Sequence, residues 1–152
     1  MDKREKLVLQ WAKGFGAHIA DEPSVPSAAV IKTRIMLIEE ELKEVKEALI
    51  EGDILKIAKE YADLQYVVSG GIIEAGLASD FDAIYEEVHQ SNMTKFCVSV
   101  VHAQEEAQRF TANTGIRHKV YSKFGRFFIK NQFGKIIKPS TYRPADMKKI
   151  FS

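Results

Sequence analysis

The chain has one cysteine, four prolines, one tryptophan and four histidines in 152 residues, and each scarcity excludes something. The lone Cys97 cannot close an internal disulfide, so nothing calls for an oxidising compartment. So few Cys and His, at no ligand spacing, exclude a zinc-type cluster. No Walker-type Gly-x-x-x-x-Gly-Lys-Ser/Thr and no Gly-x-Ser-x-Gly is present. No stretch approaches the run of about 20 apolar residues that spans a bilayer. The opening Met1-Asp2-Lys3-Arg4-Glu5-Lys6 mixes both charges ahead of a short apolar segment, which does not read as a secretory signal. A cytoplasmic protein with no membrane partner is expected. An excess of one charge sign is missing too: 22 basic against 21 acidic residues leave +1, and no global pull toward nucleic acid.

What is present is an ordinary globular composition, 45% apolar and 28% charged, in a length that suits a single domain over 1–152. The near-neutral total hides a polarity. Residues 1–90 carry eighteen acids and ten bases, whereas residues 91–152 carry three acids and twelve bases. Helical periodicity dominates the acidic part. A first helix is expected from Lys3 to about His18, with Leu7, Trp11 and Phe15 on one stripe. Pro23 and Pro26 interrupt it, and Ser27 can cap a long second helix to about Glu51, striped by Ile31, Ile35, Ile38, Leu42, Val45 and Leu49. Gly52-Asp53 reads as a stop and restart, and a third helix follows from Ile54 to about Ala75. Between Tyr61 and Ile73 that helix is apolar on nearly every side, as if enclosed by neighbours. A fourth helix is expected from Ser79 or Asp80 to about Lys95, and a fifth over about 98–112. Arg126–Lys130 and Lys135–Lys138, around Asn131–Gly134, read as a β-hairpin, and Pro144 can open a short last helix. The fold class is mainly α: a bundle of four to five helices with a small C-terminal β-hairpin.

The sharpest feature is a mirror symmetry about Gly52. Glu44 and Glu60 lie eight residues to either side of it, Glu41 and Asp63 eleven. In an antiparallel helical hairpin each pair would stand level, roughly 12 and 16 Å from the turn. Within each helix the acids are i, i+3 neighbours and project together. Glu41 and Glu44 share a second stripe with Leu37 and Ala48, and Glu60 and Asp63 one with Lys56, Val67 and Gly70. Asp63 is the single charge between Tyr61 and Ile73, and burying it without a partner would cost several kcal/mol. Four oxygen donors at one level suit a hard divalent cation, most naturally Mg²⁺. Without a cation they repel, so some should have raised pKa values, and neutralising one should not lower metal-free stability.

These residues meet a family. Glu40-Glu41-Leu42-Lys43-Glu44 followed by Glu60-Tyr61-Ala62-Asp63 resembles the EExxE…ExxD motif of the all-α nucleoside triphosphate pyrophosphohydrolases. That superfamily includes MazG-like proteins, dimeric dUTPases and phosphoribosyl-ATP pyrophosphohydrolases. The lead-in Arg34–Leu42, the segment Ser91-Asn92-Met93-Thr94-Lys95 and the tail Gly134–Pro139 are also similar, so the resemblance covers about 5–150. It implies Mg²⁺-dependent cleavage of a nucleotide between the α and β phosphates, with Mn²⁺ as a substitute metal. Glu41, Glu44, Glu60 and Asp63 would be the ligands and Glu40 the base. Asn92 and Lys95 would contact substrate. It also implies a homodimer or homotetramer, which two apolar stripes on one helix independently favour.

Other candidates are weaker. Glu86 and His89 have the spacing of a di-iron ligand pair, but no second pair accompanies them. A rival reading takes the chain as a non-catalytic helical module whose basic C-terminal third binds nucleic acid or a protein. On the enzyme reading nucleic acid is not an expected partner.

Overall fold

The computed structural model describes residues 1–151 and contains five helices and one two-stranded sheet, in two compact units, Met1–Asp82 and Ala83 onward. In the first unit α1 (Lys3–Phe15) starts at Asp2, whose carboxylate accepts from the backbone N–H groups of Arg4 and Glu5. It ends at Gly16, earlier than the periodicity implies, because Gly16 takes the left-handed conformation at φ 66° and closes the helix onto Ala12. The buried face is Glu5, Val8 and Ala12, whereas Leu7, Trp11 and Phe15 each keep about half or more of their surface exposed. The Glu5 carboxylate accepts a hydrogen bond from Ser69 Oγ in the middle of the third helix, at 3.2 Å.

Helix α2 (Ala28–Glu51) is capped by Ser27 and closed by Gly52 at φ 75°; Asp53 then caps α3 (Ile54–Glu74). This is the antiparallel hairpin expected from Gly52-Asp53, with α2 and α3 in extended contact and α1 against α3. Which stripe of α2 faces inward differs from expectation. Ile31, Ile35, Leu42 and Leu49 are exposed. Leu37, Ile38, Glu41, Glu44, Val45 and Ala48 form the half-buried to buried face. Periodicity defines stripes without saying which turns inward, and here the small Ala48 and the acids face α3. Helix α3 is likewise not enclosed within one chain: Ser69, Gly70, Ile72 and Ile73 are buried, whereas Tyr61, Tyr66 and Val68 are exposed. Arg34 ties the hairpin at its far end, donating to both Glu74 carboxylate oxygens (2.6 and 2.8 Å) and to the Val67 carbonyl (2.7 Å). Gly70 makes room for it, since a Cβ there would lie 2.6 Å from the guanidinium.

Helix α4 (Phe81–Met93), nearly all of it in the second unit, stops two residues short of Lys95, and Thr94–Phe96 continues in turns. Helix α5 (Val100–Thr114) runs from the Ser99 cap to Gly115. It supports the antiparallel strands β1 (His118–Lys123) and β2 (Arg126–Asn131). The strand-length partner of β2 is therefore the segment before it, rather than Lys135–Lys138. The true turn is Phe124-Gly125, both at positive φ (50° and 72°), which bulky Phe conceals in a sequence scan for Asn-Gly or Asp-Gly. The Asn131–Gly134 turn does exist, and beyond it the chain pairs with β2 briefly: Lys130 bridges Ile136, and backbone N–H groups of Asn131 and Ile137 donate to the Lys135 and Ile129 carbonyls. Val120, Phe127, Ile129 and Ile137 pack with Ala103 and Ala107 of α5 around the buried Cys97. The last helix reduces to a single 3-10 turn, Met147–Lys149.

Candidate metal centre

The hairpin mirror brings Glu41, Glu60 and Asp63 together: one carboxylate oxygen from each lies within 4.8 Å of the others, and all three residues are half-buried. Glu41 comes from the inward stripe of α2, Glu60 and Asp63 from successive turns of α3. Glu44, one turn nearer Gly52, is outside this trio. Between them stands a residue that sequence reasoning passed over. Lys59 Nζ lies 2.9 Å from Asp63, 3.0 Å from Glu60 and 3.7 Å from Glu44. Its signal was the i, i+4 spacing to Asp63, which reads as an ordinary surface pair until α2 is set opposite. The hydrogen bonds to Asp63 and Glu60 raise the pKa of Lys59, so it stays an ammonium.

Glu41 is the acid this ammonium does not satisfy. Its Oε2 is buried with no hydrogen-bond donor in reach. Burial, and then the charges of Glu44 and Asp63, push its pKa up from the ordinary 4.5. A buried carboxylate oxygen without a partner costs free energy unless a cation or donor arrives. The three converging carboxylates and this orphaned oxygen fit a hard divalent cation, whose ligands are oxygens and whose charge would outweigh an exposed ammonium. Glu40 is exposed and stands apart from the trio, though its charge adds to the upward pressure on Glu41.

A cavity of about 190 Å³ opens in the same unit, lined by Trp11, His18, Arg34, Leu37, Tyr66 and Val67 among others. Leu37 and Val67 are each four residues from a trio member, about 6 Å along their helices. Trp11 meets Tyr66 edge-on with ring centroids 6.4 Å apart, giving the cavity aromatic walls. Nothing in the chain's periodicity marked it. In the second unit, Asn92 and Lys95 do come together, Lys95 Nζ donating to Asn92 Oδ1 at 2.6 Å. Glu86 and His89 join no cluster of potential metal ligands among the described residues. No helix there is long and apolar enough to cross a membrane.

The phosphoribosyl-ATP pyrophosphohydrolase family matches residues 9–92, which span the acidic hairpin and stop where the basic part of the chain begins. Comparison with curated proteins finds no match.

Proposed function

The chain belongs to the phosphoribosyl-ATP pyrophosphohydrolase family, whose members are nucleotide pyrophosphohydrolases, and on that premise we propose that it cleaves a nucleotide between the α and β phosphates, using Mg²⁺ held on the helical hairpin. The substrate is a nucleoside triphosphate, such as a dUTP-like one, or phosphoribosyl-ATP. The observation that carries this reading is the convergence of Glu41, Glu60 and Asp63 around an orphaned, buried Glu41 oxygen.

When bound, the cation supplies positive charge to the phosphate oxygens where charge develops in phosphoryl transfer. Glu41, Glu60 and Asp63 would hold it, and Glu44, on the next turn of α2, would be the fourth carboxylate within reach of the set. Lys59, lying among the acids, partly neutralises their charge. A water attacks phosphorus as the bond to the pyrophosphate oxygen breaks. Its proton would pass to Glu40, the exposed carboxylate next to Glu41 in sequence. The Trp11–Tyr66 cavity is large enough for a nucleobase and would orient it. Asn92 and Lys95, paired within the second unit, carry an amide and an ammonium of the kind that suits a base edge and a phosphate. A panel of nucleotides assayed for pyrophosphate release with and without Mg²⁺ tests the reading. Release that requires Mg²⁺ and disappears in Asp63→Asn is expected; no release from any nucleotide would sink it.

The reading includes a homodimer or homotetramer. The exposed Ile31, Ile35, Leu42 and Leu49 line up along one side of α2, and such apolar surface on soluble proteins is usually covered. Light scattering should give a multiple of 17.2 kDa, and a monodisperse monomer would refute the assembly.

A further inference from the structure

The C-terminal hairpin has two faces of opposite character. Strand pairing sets Lys119 opposite Lys130, Tyr121 opposite Phe128 and Lys123 opposite Arg126 on one face. On the other, Val120 pairs with Ile129 and Ser122 with Phe127, and their apolar members pack on α5. The face turned away from α5 is therefore built wholly of basic and aromatic residues. The rings of Tyr121 and Phe128 stack at 5.8 Å and 18°, and Lys130 Nζ lies 5.5 and 5.6 Å from their centroids. The Arg126 guanidinium stands 5.1 Å over Phe96.

Two further observations point the same way. Among the described residues the ion pairs of this unit engage His102, Arg109 and Lys149, leaving the hairpin cations without carboxylate partners. Both ends of the face open into cavities. One of about 690 Å³ at the turn is lined by Lys95, Phe96, Lys123, Phe124, Arg126 and Phe128 among others. One of about 290 Å³ at the opposite end includes Arg117, Lys119, Tyr121 and Asn131. Phe124, at φ 50°, occupies the turn although a left-handed backbone disfavours large side chains, and its ring is 91% exposed.

We propose that this face binds single-stranded nucleic acid, with bases laid on the Tyr121, Phe128 and Phe124 rings and phosphates taken by Lys119, Lys123, Arg126 and Lys130. A positive groove interleaved with aromatic rings is the general design for sequence-tolerant single-strand binding. The spacing suits it: Lys119 to Lys123 spans about 14 Å at strand rise, the length of roughly four stacked nucleotides. A mononucleotide would fill one cavity and leave the other idle, whereas a strand runs through both. A duplex keeps its base faces stacked inside and cannot use the rings. The argument for this surface is independent of the acidic hairpin and lies beyond the matched residues 9–92, apart from Asn92 at the edge of the larger cavity.

The test is fluorescence anisotropy of the full chain, with EDTA present to stop hydrolysis, using labelled oligothymidylate and oligouridylate, the same length of duplex DNA, and anionic lipid vesicles. Both single strands should bind, and four phosphate contacts predict an affinity loss of roughly 50-fold between about 50 and about 200 mM salt. Lys119→Gln and Lys130→Gln should each flatten the logarithmic salt slope by about 0.7. Tyr121→Ala, at a partly exposed position that leaves the α5-facing core intact, should weaken binding roughly tenfold at every salt concentration. Lys148→Gln, outside the hairpin, should leave affinity unchanged; far-ultraviolet circular dichroism checks that each variant is folded. The proposal is overturned if neither single strand binds at low salt, if duplex binds as tightly as single strand, or if vesicles bind and oligonucleotides do not. It is also overturned if Lys148→Gln weakens binding as much as Lys119→Gln.

Discussion

Glu41→Gln separates a metal site from a structural ion-pair network. Glutamine keeps the shape of the side chain and removes a charge that is partly buried, faces Glu60 and Asp63 within 4.8 Å, and leaves Oε2 without a donor. An unsatisfied buried polar group costs about 1–3 kcal/mol; the glutamine amide N–H can donate to the Glu60 or Asp63 carboxylate and relieve it, at the lower end because the residue is only half-buried. Relief of repulsion from Glu44 and Asp63 adds to the gain, and the lost attraction of Lys59 subtracts. The metal-free variant should therefore be about 1 kcal/mol more stable than wild type and melt about 3 °C higher. Mg²⁺ at about a hundred times its Kd should add about 2.7 kcal/mol, near 8 °C, to wild type and much less to the variant. The pH dependence has a definite sign. The folded pKa of Glu41 lies above its ordinary 4.5, so the native state takes up a proton the unfolded state does not, and wild type gains stability as pH falls through the raised value. The advantage of the variant should be full above that value and close as pH falls toward 4.5. Asp63→Asn is the contrast. It removes the nearest partner of Lys59 and should not raise the metal-free midpoint, although charge repulsion read from sequence treats all four acids alike. Calorimetry in EDTA and in Mg²⁺ decides. If Glu41→Gln melts below wild type in EDTA and Mg²⁺ shifts both equally, these acids are structural and the proposed mechanism fails.

Lys59→Met removes the ammonium lying among the acids, so the metal-free midpoint should fall while Mg²⁺ binds more tightly in calorimetric titration; unchanged affinity would mean that Lys59 does not compete with the metal. Gly76→Ala should cost roughly 3 kcal/mol or more, because the backbone sits at φ 69° and a Cβ would come within 2.1 Å of the Glu22 carbonyl oxygen. A melting point within a degree or two of wild type would show that the Glu22–Pro23 segment is not held there. Cys97 is buried, and burial followed by the charge of Glu106 pushes its thiol pKa up, so iodoacetamide should label it only after denaturation; rapid labelling of native protein at neutral pH would contradict the packing around Ile129.

The contrast between what sequence disclosed and what it hid is sharpest along α2. The caps at Ser27, Gly52 and Asp53 are local chemistry, and they fixed the hairpin and with it the level of Glu41, Glu60 and Asp63. Lys59 escaped because its role depends on an α2 residue fifteen positions away, Glu44, and no single-helix pattern records that. The β1 strand escaped because its turn, Phe124-Gly125, uses a residue that turn preferences rank low. The orientation of α2 is a different kind of miss. Burying Ile31, Ile35, Leu42 and Leu49 against α3 would remove more apolar surface from water than burying Leu37 and Ala48, and would leave the acids in solvent. The observed helix does the opposite. A single chain choosing by burial alone would not select that arrangement. It becomes favourable when positive charge enters between the helices and a second apolar surface covers the outer stripe. On the proposed reading, the metal site and the assembly would be two halves of one explanation. If the chain is a stable monomer that is indifferent to Mg²⁺, the inward acids and the outward isoleucines lose their account together.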